Sequence, residues 1–210
     1  GPLTVAINSS TYARQTKDVM VATYLAEESS ELLHNQYDSL YILCTKQFGI
    51  APCTATGIET LGSQVAWRLF KERLASPADS GVSSCFDKDN PEGCSYDFID
   101  LSATTTDGFS LYKATNTQCP KLALVSKFAV DDTVPRSVYV CSGDTSPSHS
   151  TGVLTSKLYT RTVKATSSIT FTGVDQEYND DIRIVSTISF KRPSGFGRTV
   201  TVVDFIHPRQ

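Results

Sequence analysis

Between Tyr12 and Cys44 the chain contains neither glycine nor proline, the two residues that most readily break a helix. Good helix formers dominate from Lys17 to Leu43. Apolar residues recur at Val21, Leu25 and Leu32, and Leu40 and Leu43 continue the stripe, with Met20 and Tyr24 widening it. Glu27, Glu28, Glu31 and Asn35 fall off it. The spacing predicts one helix of about thirty residues, roughly 45 Å long at 1.5 Å per residue. Globular helices average about 10 to 14 residues. A helix this long needs an extended apolar surface to cover its stripe, and the rest of the chain must supply it. Gly49 and Pro52 are the expected stop.

That surface reads as a sheet. The segments 122–130, 137–141, 157–165, 168–174, 181–190 and 198–206 are rich in β-branched and aromatic residues. In 181–190, Ile182, Ile184, Ile188 and Phe190 alternate with Arg183, Thr187 and Ser189, which gives one buried and one wet face. "KRPSGFG" reads as the hairpin connection before the last strand. A second, shorter helix is expected from Glu59 to Leu74, with Leu61, Val65, Leu69 and Phe70 as its apolar side and Trp67 beneath it. Between Asp79 and Gln118 only short extended pieces are expected, such as "YDFIDL" and "FSLY". The expected organisation is one domain over 4–210. It divides into a long helix (4–48), a helix-to-sheet region (49–120) and an antiparallel sheet (121–210). Residues 1–3, Gly-Pro-Leu, look like the scar of a cleaved tag. The fold class is α+β, a long N-terminal helix packed on a C-terminal antiparallel sheet through Val21, Leu25, Leu32 and Leu40.

Six cysteines lie at Cys44, Cys53, Cys85, Cys94, Cys119 and Cys141. Their spacings match no zinc pattern, and the three histidines, His34, His149 and His207, are far apart. Cys85 and Cys94 flank the polar loop "CFDKDNPEGC", where a buried thiol would have little to pack against. Serine and threonine together number 50 of 210 residues, a composition that suits an exported protein. Disulfides and an extracytoplasmic location are therefore expected. Six cysteines allow fifteen connectivities. The pairing Cys44–Cys53, Cys85–Cys94 and Cys119–Cys141 is the expected one, because it closes short loops between adjacent elements.

Catalytic chemistry is not expected. The chain has no G-x-S-x-G, H-E-x-x-H, Walker A or G-x-G-x-x-G motif. The carboxylate pairs Glu27–Glu28, Asp131–Asp132 and Asp180–Asp181 are adjacent in sequence and point apart. Asp87, Asp89, Asn90 and Glu92 could offer calcium oxygen ligands, but they lack the glycine and distal glutamate of an EF-hand loop. No metal and no cofactor are expected. With 19 basic and 22 acidic residues and a net charge of −3, the chain has no general attraction for nucleic acid, and none is expected as a partner. Asn8-Ser9-Ser10 fits a glycosylation acceptor.

The segment "YLAEESSELLHNQYDS" (24–39) resembles a motif in the exposed helix of type IV pilin-like proteins of candidate-phylum, ultrasmall bacteria. Tyr24, Leu25, Ala26, Glu28, Glu31, Asn35 and Asp38 match it in register, while Ser29, Ser30, His34 and Tyr37 depart from it. "KLYTRTV" (157–163) resembles the family's aromatic-x-Arg strand. Residues 183–206 resemble its last two strands, with Phe190 in place of a tryptophan. The resemblance implies a type IV pilin fold and a structural subunit of an extracellular pilus. The subunit would be a minor pilin serving surface attachment or motility, an adhesin at the pilus tip, or a secretion pseudopilin. It implies other pilin subunits and a host-cell surface as partners. It implies membrane contact only through an N-terminal half-helix that this sequence lacks, with the protein in the inner membrane before assembly. Prepilin processing and methylation belong to that family.

Overall fold

A computed structural model of the chain describes residues 2–56, 59–75, 84–86, 90–98, 109–113, 122–127, 136–141, 155–167, 181–191 and 197–209. The first element, α1, is a single helix over Pro2–Lys46 of 45 residues, about 67 Å long. It starts two residues ahead of the expected 4–48 helix, and well ahead of the run of good helix formers that begins at Lys17. Nothing in the sequence ahead of Lys17 breaks a helix after Pro2, and proline is well tolerated in a first turn. It ends where expected. Gly49 takes a φ of +86°, the left-handed conformation that turns the chain away, and the Cys44–Cys53 disulfide closes the loop that follows.

The buried side of α1 runs through Ala22, Leu25, Ala26, Ser29, Ser30, Leu33, Gln36, Tyr37, Leu40 and Cys44, in the three- and four-residue steps of one helical face. Leu25 and Leu40 belong to it. Val21 and Leu32 do not lie at its centre; they stand half-buried on one margin, packed against the core. The stripe is rotated from the expected one because its axis runs through Ala22, Ala26 and two serines. Those side chains are too small or too polar to register as an apolar pattern.

Helix α2 spans Gly62–Ala75. It begins later than Glu59 because Gln64 reaches back to accept the backbone N–H groups of Thr60 (2.8 Å) and Leu61 (3.3 Å), half of a capping box. Glu59 is buried ahead of the helix, where it pairs with Arg68 and accepts the Thr56 N–H at 2.6 Å. Leu61 is exposed rather than on the apolar side. Gly62 cannot carry a side chain, since a Cβ there would stand 2.1 Å from the Cys44 carbonyl oxygen. This contact brings α2 against the end of α1. Trp67 and Phe70 close on Tyr37, with ring centroids 5.1 and 5.4 Å away, and Val65, Ala66 and Leu74 complete the buried face.

Among the described residues seven strands follow. They are β1 (Cys94–Phe98), β2 (Phe109–Lys113), β3 (Leu122–Lys127), β4 (Arg136–Cys141), β5 (Thr155–Ser167), β6 (Ile182–Lys191) and β7 (Gly197–Ile206). The sheet is not confined to the expected 121–210: β1 and β2 come from the middle region, where they overlap the short extended pieces "YDFIDL" and "FSLY". The 13-residue β5 organises the sheet. One edge pairs with β6 over Tyr159–Ser167. On the other edge β3 pairs at Thr155 and Tyr159, and β1 pairs at Val163. β6 pairs in turn with β7 over ten residues, and all these pairings are antiparallel. The Cys85–Cys94 disulfide fastens β1 to residue 85, whose N–H and carbonyl bond Leu74 and Ala165. The expected strand 168–174 falls on residues outside the described ones, as does Cys119 of the expected Cys119–Cys141 pairing. In the chain-entropy model each of these two short disulfide loops contributes about 3 kcal/mol.

α1 lies across β5, β6 and β7 and continues over α2. The inward residues Tyr159, Val163, Ala165, Ile182, Ile184, Ile188, Phe190 and Ile206 meet it. The opposite face of the same strands carries rows of hydroxyls, Thr160–Ser189–Thr199 and Thr162–Thr187–Thr201, which accounts for part of the serine and threonine excess. Because Leu33 is fully buried and Leu32 only half, Leu33→Ala should cost about 3 kcal/mol and Leu32→Ala about 1 kcal/mol. Urea unfolding at unchanged m measures both, and equal losses would place the stripe where the periodicity alone puts it.

Candidate functional site

Midway along its packed half, α1 turns polar at its contact with the sheet. Ser29 and Ser30 are buried there, as is Ser186 of β6. Ser29 satisfies its hydroxyl within the helix, donating to the Leu25 carbonyl at 3.1 Å. Two ties flank this stretch. From β5, the wholly buried side chain of Arg161 donates through Nη1 to Glu28 Oε2 at 2.8 Å. From β7, Asp204 Oδ2 accepts from the Ser30 hydroxyl and lies 3.0 Å from His34 Nε2. Glu28 and Ser30 are two positions apart, about 200° around a helix, so the ties grip opposite flanks. β5 and β7 are the two neighbours of β6, which places one tie on each side of the central strand.

Asp204 is well prepared to stay ionised. Burial alone pushes its carboxyl upward, but hydrogen bonds from Ser30, the Phe205 N–H (2.8 Å) and His34 outweigh it and hold it below the ordinary aspartate range. Beside it opens a cleft of about 450 Å³, lined by Glu27, Ser30, Glu31, His34, Asn35, Val202 and Asp204. These residues include a serine, a histidine and an aspartate, yet not in the order of a hydrolytic triad. The carboxylate, not the imidazole, accepts the hydrogen bond of the serine hydroxyl, so Ser30 has no activating base in this geometry. The arrangement holds two elements together and leaves an acidic rim.

A third tie lies further along. The Arg209 N–H donates to the Tyr37 hydroxyl at 2.7 Å, its Nη2 lies 2.7 Å from Asp38 Oδ1, and its guanidinium stacks 5.3 Å over the Tyr41 ring. Burial pushes the Tyr37 phenol above its ordinary range, against the pull of the Arg209 contacts.

The described cysteines form the pairs Cys44–Cys53 and Cys85–Cys94, at S–S distances of 2.09 and 1.98 Å. Cys119 is outside the described residues, and for Cys141 only its place on β4 is described. Of the oxygen cluster, Asp87 and Asp89 fall outside the described residues. Asn90 is a turn lock, its amide donating to the carbonyls of Ser84 (3.0 Å) and Gly93. Among the described residues no group of three or more His, Cys, Asp or Glu could hold a metal ion. None of their helices is long and apolar enough to cross a membrane. Ser30, Asp204 and the Arg161–Glu28 pair went unforeseen as a site. Two signals were available. The serine doublet interrupts a helical stripe, and alternation along β5 puts Arg161 on the side of Tyr159, Val163 and Ala165.

Arg161 is fully buried, whereas about a third of Glu28 remains solvated. Glu28→Leu, which withdraws a carboxylate from the buried guanidinium, should therefore cost about 3 kcal/mol, and Arg161→Leu clearly less. Denaturant midpoints decide, and equal costs would contradict this burial. Because the folded-state pKa of Asp204 is depressed, its contribution is full above the unfolded aspartate pKa of about 4 and is lost as pH falls through the lower folded value. Stability should drop across that acid range, and Asp204→Asn should flatten the drop in a pH series of unfolding curves.

Comparison with known proteins adds no kin to this geometry: no family model, no curated protein and no solved structure matches the chain.

Proposed function

We propose that the chain is a structural subunit of an extracellular filament of the type IV pilus kind. The observation that carries this reading is the division of α1. From Val19 onward the helix is packed on the sheet and α2, whereas residues 8–14, Thr16 and Lys17 are exposed. Ser9, Ser10, Thr11 and Thr16 are weak helix formers, and a short helix of such residues in water is marginal. Such a segment gains its stability from neighbours outside the domain, and identical subunits supply them in a filament. The motif residue Glu28 and the strand residue Arg161, both matched to the pilin-like pattern, meet in one ion pair, which supports the resemblance at the level of contact.

In this reading the chain has no catalytic role. Its partners are other subunits. Before assembly it resides in the inner membrane through an apolar half-helix continuing α1, and afterwards on the cell surface. A second reading, an adhesive tip subunit, is favoured by a different feature. Ile42, Phe48, Ile50 and Leu61 are exposed around the Cys44–Cys53 loop, at the end of α1 away from the bare segment. Exposed apolar clusters of this kind mark contact surfaces.

The test is expression of the gene from its native start in its own or a related host, followed by isolation of surface filaments. The protein is expected along the filament shaft, and its deletion should remove or shorten filaments. Labelling only at filament ends would favour the tip reading. Recovery only as a free secreted species, with filaments unaffected by deletion, would overturn both.

A further inference from the structure

Among the described residues β7 pairs only with β6, and its other edge has no backbone partner. The alternation of an antiparallel ladder fixes which groups face that open edge. Phe205 donates its N–H to Asp204 Oδ1 at 2.8 Å, so this N–H points away from β6. The two-residue period then turns the N–H and carbonyl groups of Thr199, Thr201 and Val203 the same way. An edge of this kind, with no proline in ten residues, is a template for a further strand. Its two faces differ. The outward face carries Val203 and Phe205, 45% and 47% exposed. The inward face opens on the cleft of about 450 Å³, which among the described residues is lined by α1 and β7 alone. α1 runs alongside β7 in the same direction, since Ser30 and His34 meet Asp204, while Tyr37 and Asp38 meet Arg209. On the α1 wall Glu27 and Glu31 are exposed and make no ion pair among the described residues.

We propose that the open edge of β7 takes an extended segment of another protein as an added strand, with Lys or Arg at two alternate positions and an apolar residue between them. The added strand is antiparallel, like every described pairing of the sheet. Its side chains opposite Val202 and Asp204 enter the cleft. Successive inward side chains of a strand are about 6.8 Å apart, and residues one turn apart on a helix, as Glu27 and Glu31 are, lie about 6 Å apart along its axis. Two basic side chains at alternate positions therefore meet two carboxylates. The residue between them points outward and covers Val203 and Phe205. Main-chain hydrogen bonds to Thr199, Thr201 and Val203 hold the strand, and the alternate side chains select it. Neither feature is selective alone: the edge accepts any strand, and the carboxylates accept any cation. The site is independent of the filament reading, since it lies on the packed half of α1 and needs no second copy of the chain.

NMR titration of the isotope-labelled chain with a capped nonapeptide, Ser-Thr-Val-Lys-Val-Lys-Val-Thr-Ser, tests this. With its central valine opposite Val203, its lysines fall opposite Val202 and Asp204. The control, Ser-Thr-Val-Lys-Lys-Val-Val-Thr-Ser, has the same composition and charge but puts its lysines on opposite faces. Expected is a Kd on the order of 0.1 mM, with shifts at the amides of Thr199, Thr201 and Val203 and slower hydrogen exchange there. Binding should weaken about tenfold for the control, and as much for the double variant Glu27→Gln, Glu31→Gln. It should weaken again when the central valine is N-methylated, because that N–H bonds the Val203 carbonyl. Salt near 1 M, with a screening length of about 3 Å, should close the gap between the two peptides. Both glutamates are exposed, so the double variant folds as the parent does, and the N-methyl peptide tests the edge on an unaltered chain. Equal binding of the two lysine arrangements, indifference to the N-methyl group, shifts away from β7 and α1, or no shift at millimolar peptide would overturn the proposal. The same shifts on concentrating the chain alone would assign the edge to a second copy and overturn it equally.

Discussion

Close approach of α1 to the sheet is the constraint on which the rest of the structure depends. Where the helix meets the sheet it carries Ala22, Ala26, Ser29 and Ser30 rather than bulky side chains, so the backbones come near enough for short polar groups to bridge them. Arg161 and Asp204 can then reach Glu28 and Ser30 from either side of β6. A leucine at position 29 or 30 would add buried apolar area, yet it would lift the helix and pull both ties apart. The polar stretch therefore fixes the rotation and height of the helix, which purely apolar packing leaves less well defined.

On either side of that stretch the two apolar clusters do different work. One is small, built from Ala22, Leu25, Ala26, Tyr159, Ile188 and Phe190. The other gathers Leu33, Tyr37, Leu40, Trp67, Phe70 and Leu74 with Ile182, Ile184 and Ile206, and holds both described disulfides. Burial thus deepens along α1 from its N-terminal to its C-terminal end. The exposed segment at the start is the continuation of this gradient, and local opening free energies in proteins follow such differences in packing.

Much of this was legible in the sequence. The absence of glycine and proline marked the helix, alternation in 181–190 marked a half-buried strand, and Gly49 marked the helix end. What escaped did so for physical reasons. The rotation of the stripe depends on alanine and serine, whose preference for the interior is set by what faces them rather than by their own hydrophobicity. The start of α2 depends on a side-chain cap from Gln64. The Arg161–Glu28 pair joins residues 133 positions apart. Either residue alone reads as a surface charge, and only the geometry of the fold turns them into partners. β1 and β2 were legible as extended pieces, but their membership of the sheet is a long-range property of β5.

The ties flanking β6 also bear on force. A pull along the axis of α1 from its bare end does not peel the helix off one residue at a time. It loads the Glu28–Arg161 and Ser30–Asp204 contacts together and in shear, because both cross the helix direction at nearly the same height. Behind them stand the ten-residue pairing of β6 with β7 and the covalent loop closed by Cys44 and Cys53. The domain is therefore anchored like a bolt held by several pins across its shaft, and tension entering through the helix is spread over three strands before any one of them must yield.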